Sequence, residues 1–356
     1  MQRSRPERSP SPESHVPAAA RRAGGWRVWV GLAVSAAFLF LAFRGQNPRD
    51  VWRTLQSVDL RWLPPALLLY GVGVWLRAIR WSVLLRPVAP LAPRDVLPTV
   101  LAGYTANNIL PLRTGELVRA YLLGRAYGVR KSAVLASIAV ERLFDGLTML
   151  AFLLLAMTAI SPTAELRRLA QVAALLFALA VAALAVLVLG GNHRDRLLDV
   201  VLRPLPDGLG ERVRSIAAAF LDGLGSLRRG GDLLLVAATS LLAWGFEAAM
   251  YWAIAQGFGP TLRSVFTPAA ALLTTGVANL ATLVPAAPGY VGTFEAGVTL
   301  AVGGALNVDR ALALSYALLV HAALWFPVTA VGAWCWWRLA HGGSATAERH
   351  ERTARA

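Results

Sequence analysis

The hydrophobic residues of this chain stand in long blocks, and two of those blocks are interrupted by residues that end helices. An apolar block inside a bilayer core of about 30 Å must be helical, because every backbone N–H and C=O there needs a partner. Six blocks are long enough to span: Trp26 to Phe43, Leu63 to Leu85, Ser132 to Ile160, Leu166 to Leu189, Leu233 to Gln256 and Ala311 to Trp337. Val96 to Leu123 and Phe266 to Gly304 differ, since each runs through Asn, Pro and Gly into Thr-x-Glu. Such breaks survive at membrane depth only where they are buried in protein or line a wet cavity. The pattern predicts an all-α polytopic integral membrane protein with six full transmembrane helices and two re-entrant helical hairpins.

Composition supports this class. Of 356 residues 56% are hydrophobic and 15% charged, whereas a soluble α/β enzyme of this length would alternate short strands with turns and carry far more charge. The single cysteine, Cys335, excludes an internal disulfide and a cysteine-cluster metal site. Residues 1–25 are rich in Arg, Pro, Ser and Ala and read as a disordered basic tail. Trp26 to Phe43 lacks a small-residue cleavage site and reads as a retained helix. The transmembrane domain is expected over 26–340, with a second polar tail over 341–356.

The net charge of +15 lies in arginines between apolar blocks, the placement of topology determinants, so lipid headgroups rather than nucleic acid are the expected anionic neighbour. With both broken blocks re-entrant, one face of the membrane receives the N-terminal stretch through Arg27, the region 84–131, the loop 190–231 and the C-terminus. That face holds 24 of the 35 Lys and Arg, against 8 on the other. The positive-inside rule then puts both termini in the cytoplasm, and the two hairpins open from opposite sides as in an inverted repeat. Within 190–231, Val213, Ile216, Phe220, Leu224 and Leu227 recur at helical spacing opposite Glu211, Arg212, Arg214 and Arg228. This amphipathic helix fits the cytoplasmic interface or a surface of the protein itself equally well.

At the first break Pro111 ends a helix, Gly115 permits close backbone approach, and Thr114 reads as the N-cap of a new half-helix with Glu116 in its first turn. At the second, Pro288-Gly289 and Gly292 make the break, Thr293 reads as the cap and Glu295 follows it. Thr114 to Thr293 and Glu116 to Glu295 share an offset of 179 residues, and Asn107, Asn108 and Asn279 precede the breaks. A helix N-terminus presents free amides and a partial positive charge that suit a phosphate, with Arg113 and Arg119 as reinforcement. The plainer alternative is that Arg113 and Glu116 pair with each other and the threonines only cap.

Glu141, Arg142 and Asp145 form a second polar group, expected to pair with Arg113, Arg119 or Arg125 and hold the first hairpin in place, or else to relay protons or headgroup. Glu247 stands alone in the fifth span and is costly enough there to suggest a cavity-facing carboxylate. His321 reads as a satisfied core group, and Arg77 and Arg80 as snorkelling side chains near a span end. No nucleophile with a base, paired metal ligands or nucleotide loop appears, so no enzyme activity, cofactor or metal is expected.

Four segments, Arg80-Trp81 with Leu84-Leu85, Asn108 through Arg119, Glu141-Arg142 with Asp145-Gly146, and Pro288 through Glu295, together resemble the flippase-like family named for the transmembrane region of lysylphosphatidylglycerol synthase, the membrane half of the multiple peptide resistance factor. The likeness covers roughly residues 30–340. It implies a bacterial inner-membrane protein with two re-entrant hairpins in pseudo-symmetric halves that moves a lipid between leaflets. In two-part members a separate soluble domain aminoacylates the lipid. Only a short polar tail follows Arg338, so synthase activity is not expected. Other relatives are associated with glycolipid, polyprenyl-linked or hopanoid pathways.

The expectation is therefore a translocase for a phospholipid or lipid-linked headgroup. Arg113, Arg119 and the half-helix amides would hold phosphate. Glu116 and Glu295 would hold a cationic headgroup part or gate by protonation. The alternatives are a non-transporting membrane partner of a separate lipid-modifying enzyme and an integral-membrane lipid or glycosyl transferase.

Overall fold

The computed structural model describes residues 18–110, 113–161, 164–189, 230–284 and 287–341, with 208, 210 and 211 between them. The expectations for residues 1–17, Pro111, Pro285, the 190–231 helix and the C-terminal tail lie outside these. The described residues are helical, with no strand: α1 Ala18–Phe43, α2 Pro48–Gln56, α3 Leu63–Leu85, α4 Pro93–Ile109, α5 Gly115–Tyr127, α6 Lys131–Ala156, α7 Ala164–Leu189, α8 Gly230–Gln256, α9 Pro260–Val265, α10 Pro268–Ala281, α11 Thr293–Thr299 and α12 Arg310–His341. α1 begins eight residues ahead of the expected Trp26.

Local chemistry sets many of the ends. Proline opens α2, α4, α9 and α10, where its missing N–H costs nothing. Asn47 caps α2 and Thr267 caps α10 through side-chain oxygens. Gly128, at φ 67°, ends α5.

Among the described residues three helices are long and apolar enough to cross a membrane: Leu60–Leu85, Gly231–Gln256 and Arg310–His341. Helices α1, α6 and α7, of 26 residues each, cover the other expected spans and reach about 39 Å at 1.5 Å per residue. Leu154, Leu155, Leu175, Leu176, Leu234 and Phe326 stay exposed, a surface that suits hydrocarbon. The protein is a polytopic helical membrane protein.

The broken blocks fold as paired short helices. Asp95 faces Tyr127, Gly103 faces Arg119 and Asn107 faces Gly115, so α4 and α5 run antiparallel. A Cβ on Gly115 would stand 2.1 Å from the Gly103 carbonyl, so these helices approach closely because both positions are glycine. In the second block α10 packs on α11, where Gly297 meets Ala278 and Val277. Leu300–Ala305 continues α11 as a π-helical turn.

The contacts repeat between two halves. α3, α4, α5 and α6 correspond in order to α8, α10, α11 with its π turn, and α12. α4 packs on α5 as α10 on α11, α5 on α6 as α11 on α12, and α4 on α12 as α10 on α6. The corresponding helices α3 and α8 pack on each other, and their partners run in opposite order: Arg86 with Asp232, Arg80 with Ser240, Arg77 with Glu247 and Asp59 with Gly257. Equivalent helices that lie antiparallel require an approximate two-fold axis perpendicular to them. The halves are therefore inverted with respect to one another.

Candidate functional site

The two breaks meet. Arg113, held at φ 51° in the left-handed region, reaches from the first break to the second. Its Nη2 donates to the Thr282 carbonyl at 2.9 Å and to the Thr282 hydroxyl at 3.2 Å, and its guanidinium lies 4.9 Å from the centre of the Tyr290 ring. Gly289, Tyr290 and Gly292 all adopt positive φ, which turns the second break sharply. Asn108 anchors the first break to α12 by donating to the Thr329 hydroxyl at 2.7 Å.

A cavity of about 330 Å³ lies between the breaks and the helices behind them. Asn107, Asn108, Arg113, Arg142, Asp145, Glu247 and Asn279 line it, together with His321 and several aromatic side chains. Glu116, Arg119, Thr293 and Glu295 do not line it.

Several expected roles change. Thr114 occupies the N-cap position of α5 without a cap bond, and its hydroxyl is buried with no partner. The Gly115 N–H goes instead to Asn107 Oδ1 at 2.8 Å, because the antiparallel packing brings α4 within reach of the open end of α5. Thr293 is the first residue of α11 rather than its cap, and its hydroxyl donates to the Tyr290 carbonyl. Gly292, at φ 92°, takes the cap, and Glu295 Oε2 accepts its N–H at 2.6 Å. Arg113 pairs with the second break and not with Glu116, which is half-buried on α5 with no hydrogen bond or ion pair among the described residues. The two Thr-x-Glu segments do not meet at the cavity. The breaks meet through Arg113 instead.

Arg119 is taken out of the headgroup role by its partners. It is buried, binds Glu141 through both terminal nitrogens at 3.1 and 2.8 Å, and lies 4.0 Å from the centre of the Trp81 ring. Its pairing with Glu141 joins α5 to α6. Arg80 joins the same network, donating to Asp145 at 2.6 Å and Ser240 at 2.9 Å and standing 3.3 Å from Glu141. Arg77 donates to Glu247 at 2.7 Å and lies 4.2 Å from the centre of the Trp244 ring. Both arginines therefore sit in the core rather than snorkelling, because a charge that finds a carboxylate on the facing helix need not reach water.

Arg142 completes the network and opens it to the cavity. It contacts Glu141 at 2.7 Å and Asp145 at 3.4 Å, yet 45% of its side chain is exposed. Arg80, Arg119 and Arg142 thus place three guanidiniums on two carboxylates. Among the described residues Arg113 has only neutral oxygen acceptors. Of the three arginines that line the cavity, Arg77 and Arg142 are paired with carboxylates and Arg113 is not, which leaves its guanidinium suited to binding an anion.

His321 and Tyr290 are the site residues that sequence reading passes over. His321 Nδ1 lies 2.5 Å from Glu295 Oε1, its Nε2 lies 2.8 Å from the Gly289 carbonyl, and its ring stacks on Phe294 at 4.6 Å. The available signal was the same that marked Glu247, an ionisable residue alone in an apolar span.

An inverted, polytopic helical membrane protein with a cationic cavity between two helix breaks defines the class. The family described as the lysylphosphatidylglycerol synthase TM region matches residues 28–332, and the chain belongs to it. Among curated relatives, the chain is 26% identical over 318 residues to "Glycosyltransferase AglD" of Haloferax volcanii, covering 82% of this chain and 51% of that protein. It is 24% identical over 313 residues to a "UPF0104 membrane protein" of Methanothermobacter thermautotrophicus, covering 81% of this chain and 90% of that one. The chain thus spans about half the length of the first relative. No solved structure matches.

Proposed function

We propose that the cavity takes the anionic headgroup of a membrane lipid and that the protein moves this lipid between leaflets. The observation that carries the reading is Arg113 on the cavity wall, which meets only neutral acceptors among the described residues, beside Arg142, which shares two carboxylates with two other arginines. A phosphate completes such a site with charge-assisted hydrogen bonds, and the aromatic lining accommodates the apolar part of the headgroup region. Asn107, Asn108 and Asn279 supply neutral polar atoms beside it.

In this reading α4 with α5, and α10 with α11, are re-entrant hairpins. At about 20 to 26 Å for α4, α5 and α10 and about 11 Å for α11, these helices are shorter than a bilayer core. The inversion of the halves supports hairpins that open from opposite sides, and the arginine asymmetry supports cytoplasmic termini in a bacterial inner membrane. Alternating exposure of one cavity then needs only a rocking of one half against the other.

The test is leaflet exchange of fluorescent phosphatidylglycerol in proteoliposomes holding the purified full chain. Exchange well above protein-free vesicles supports the reading. Its absence across anionic lipids counts against it. The name of the Haloferax relative supports a second reading, in which the membrane domain presents a lipid-linked sugar to a transferase. Product formation from a lipid-linked donor would favour that one, and exchange only on adding a lipid-modifying partner would favour the non-transporting role.

A further inference from the structure

The ring of His321 lies between two acceptors. A carbonyl oxygen can only accept, so Nε2 must carry hydrogen to bond Gly289 at 2.8 Å. Nδ1 then faces Glu295 Oε1 at 2.5 Å, and one further proton must lie between these two atoms. It resides on the ring, giving imidazolium and carboxylate, or on the carboxyl, giving neutral imidazole and acid. Removal of that proton sets two lone pairs against each other, at Nδ1 and Glu295. If the ring changes tautomer, the opposed pair moves to Nε2 and the Gly289 carbonyl. One of the two contacts is lost in either case.

Both contacts end on the second break. Glu295 Oε2 accepts the Gly292 N–H, and His321 holds the Gly289 carbonyl, so the pair clasps a turn whose residues 289, 290 and 292 all have positive φ. That turn packs on Trp325 and on the Asn108 carbonyl, and Tyr290 carries the guanidinium of Arg113. The turn is therefore one wall of the cavity.

We infer that His321 and Glu295 form a proton-binding site whose occupancy holds the second break in place against the cavity. Of the charged groups facing the pair, Arg77 of α3 and Glu247 of α8 bind each other, and Asp145 and Arg142 of α6 belong to the arginine network. On α5 Arg119 is held by Glu141 and Glu116 stands outside the cavity, and on α2 Asp50 and Arg53 pair at the surface. Arg113 lies over Tyr290, and the remaining titratable groups are Tyr70 of α3 and Tyr104 of α4. α1 and α10 approach with neutral Ser35 and Asn279. Glu295 thus has His321 as its only ion-pair partner among the described residues. The inference goes beyond the lipid reading and stands or falls without it.

The test places a spin label at Leu283, an exposed position at the start of the second break, in the full chain with Cys335→Ala, reconstituted in nanodiscs. The wild-type pair should pass from an immobilised to a mobile line shape as pH rises from mildly acidic to mildly alkaline. Glu295→Gln lets the amide nitrogen donate to Nδ1 of the neutral ring while its oxygen accepts the Gly292 N–H, so both contacts persist without the shared proton, and the label should stay immobilised over the range in which wild type changes. Glu295→Ala should be mobile throughout. In parallel, nitrogen-15 spectra of histidine-labelled protein, with His321 assigned by its loss in His321→Asn, should show the His321 signals shift over the same pH range in wild type. A pH-independent line shape in wild type, or a Glu295→Gln variant that follows the wild-type transition, overturns the inference whatever the lipid assay gives. A His321 ring with an unprotonated Nδ1 and no carboxyl proton at mildly acidic pH overturns it as well.

Discussion

Arg77 of α3 and Glu247 of α8 bind at 2.7 Å, both buried, and so tie together the two helices that occupy equivalent places in the inverted halves. The pair bridges 170 residues of sequence and also forms part of the cavity wall. Replacing one partner leaves an uncompensated buried charge, which costs about 3–5 kcal/mol. Arg77→Met should therefore lower the thermal midpoint in detergent sharply. The double substitution Arg77→Met with Glu247→Leu should recover most of the loss. A double variant no better than the single one would show that the charge pairing is not what joins the halves.

Arg119 and Arg142 share Glu141 but have different surroundings. Arg119→Ala removes a buried bidentate pair and the contact with Trp81, and should reduce folded yield and thermal stability. Arg142→Ala leaves Glu141 with Arg80 and Arg119 and should fold, while slowing lipid exchange. Size-exclusion profiles with exchange assays separate the two outcomes, and equal destabilisation by both would remove Arg142 from the proposed binding role.

Among the described residues Arg113 makes hydrogen bonds only to Thr282, at the exposed mouth of the cavity, so its loss should spare the fold. If its guanidinium holds a phosphate, Arg113→Ala forfeits one charge-assisted interaction of about 1.5–3 kcal/mol, roughly tenfold or more in exchange rate. Arg113→Lys should recover only part, since an ammonium lacks the planar fork. Exchange at the wild-type rate in Arg113→Ala would disprove this assignment.

Gly115 sets the spacing of the first hairpin. A methyl there would stand 2.1 Å from the Gly103 carbonyl and 2.6 Å from the Asn107 side chain that caps α5. Gly115→Ala should cost about 1–3 kcal/mol through overpacking and displace the cap. Gly245→Ala, whose added carbon meets nothing within 4 Å, is the control. Comparable thermal midpoints for the two variants would show that the hairpin has slack.

Much of this architecture is legible in the sequence because its causes are local. Block length fixes the long helices, since an apolar stretch in hydrocarbon must satisfy its own backbone. Asn, Pro and Gly fix where the two blocks break, and the repeated Thr-x-Glu marks them as counterparts. Glu141 and Asp145, four residues apart on one face of α6, were legible as a pairing site. What holds each break was not. Asn107 caps α5 from across the hairpin, and Gly292 replaces Thr293 as the cap because its φ of 92° suits glycine. These depend on how closely two helices approach.

The sequence alone determined a polytopic helical protein with two interrupted blocks, because hydrophobic length and backbone hydrogen bonding act within a segment. The tertiary structure decided the partners of the buried charges. Arg77 and Arg80 become core residues, Arg119 becomes a strut on Glu141, Arg113 is left facing the cavity, and His321 becomes the partner of Glu295. Coulomb attraction and desolvation depend on which helix faces which, and that geometry exists only once the two halves have packed.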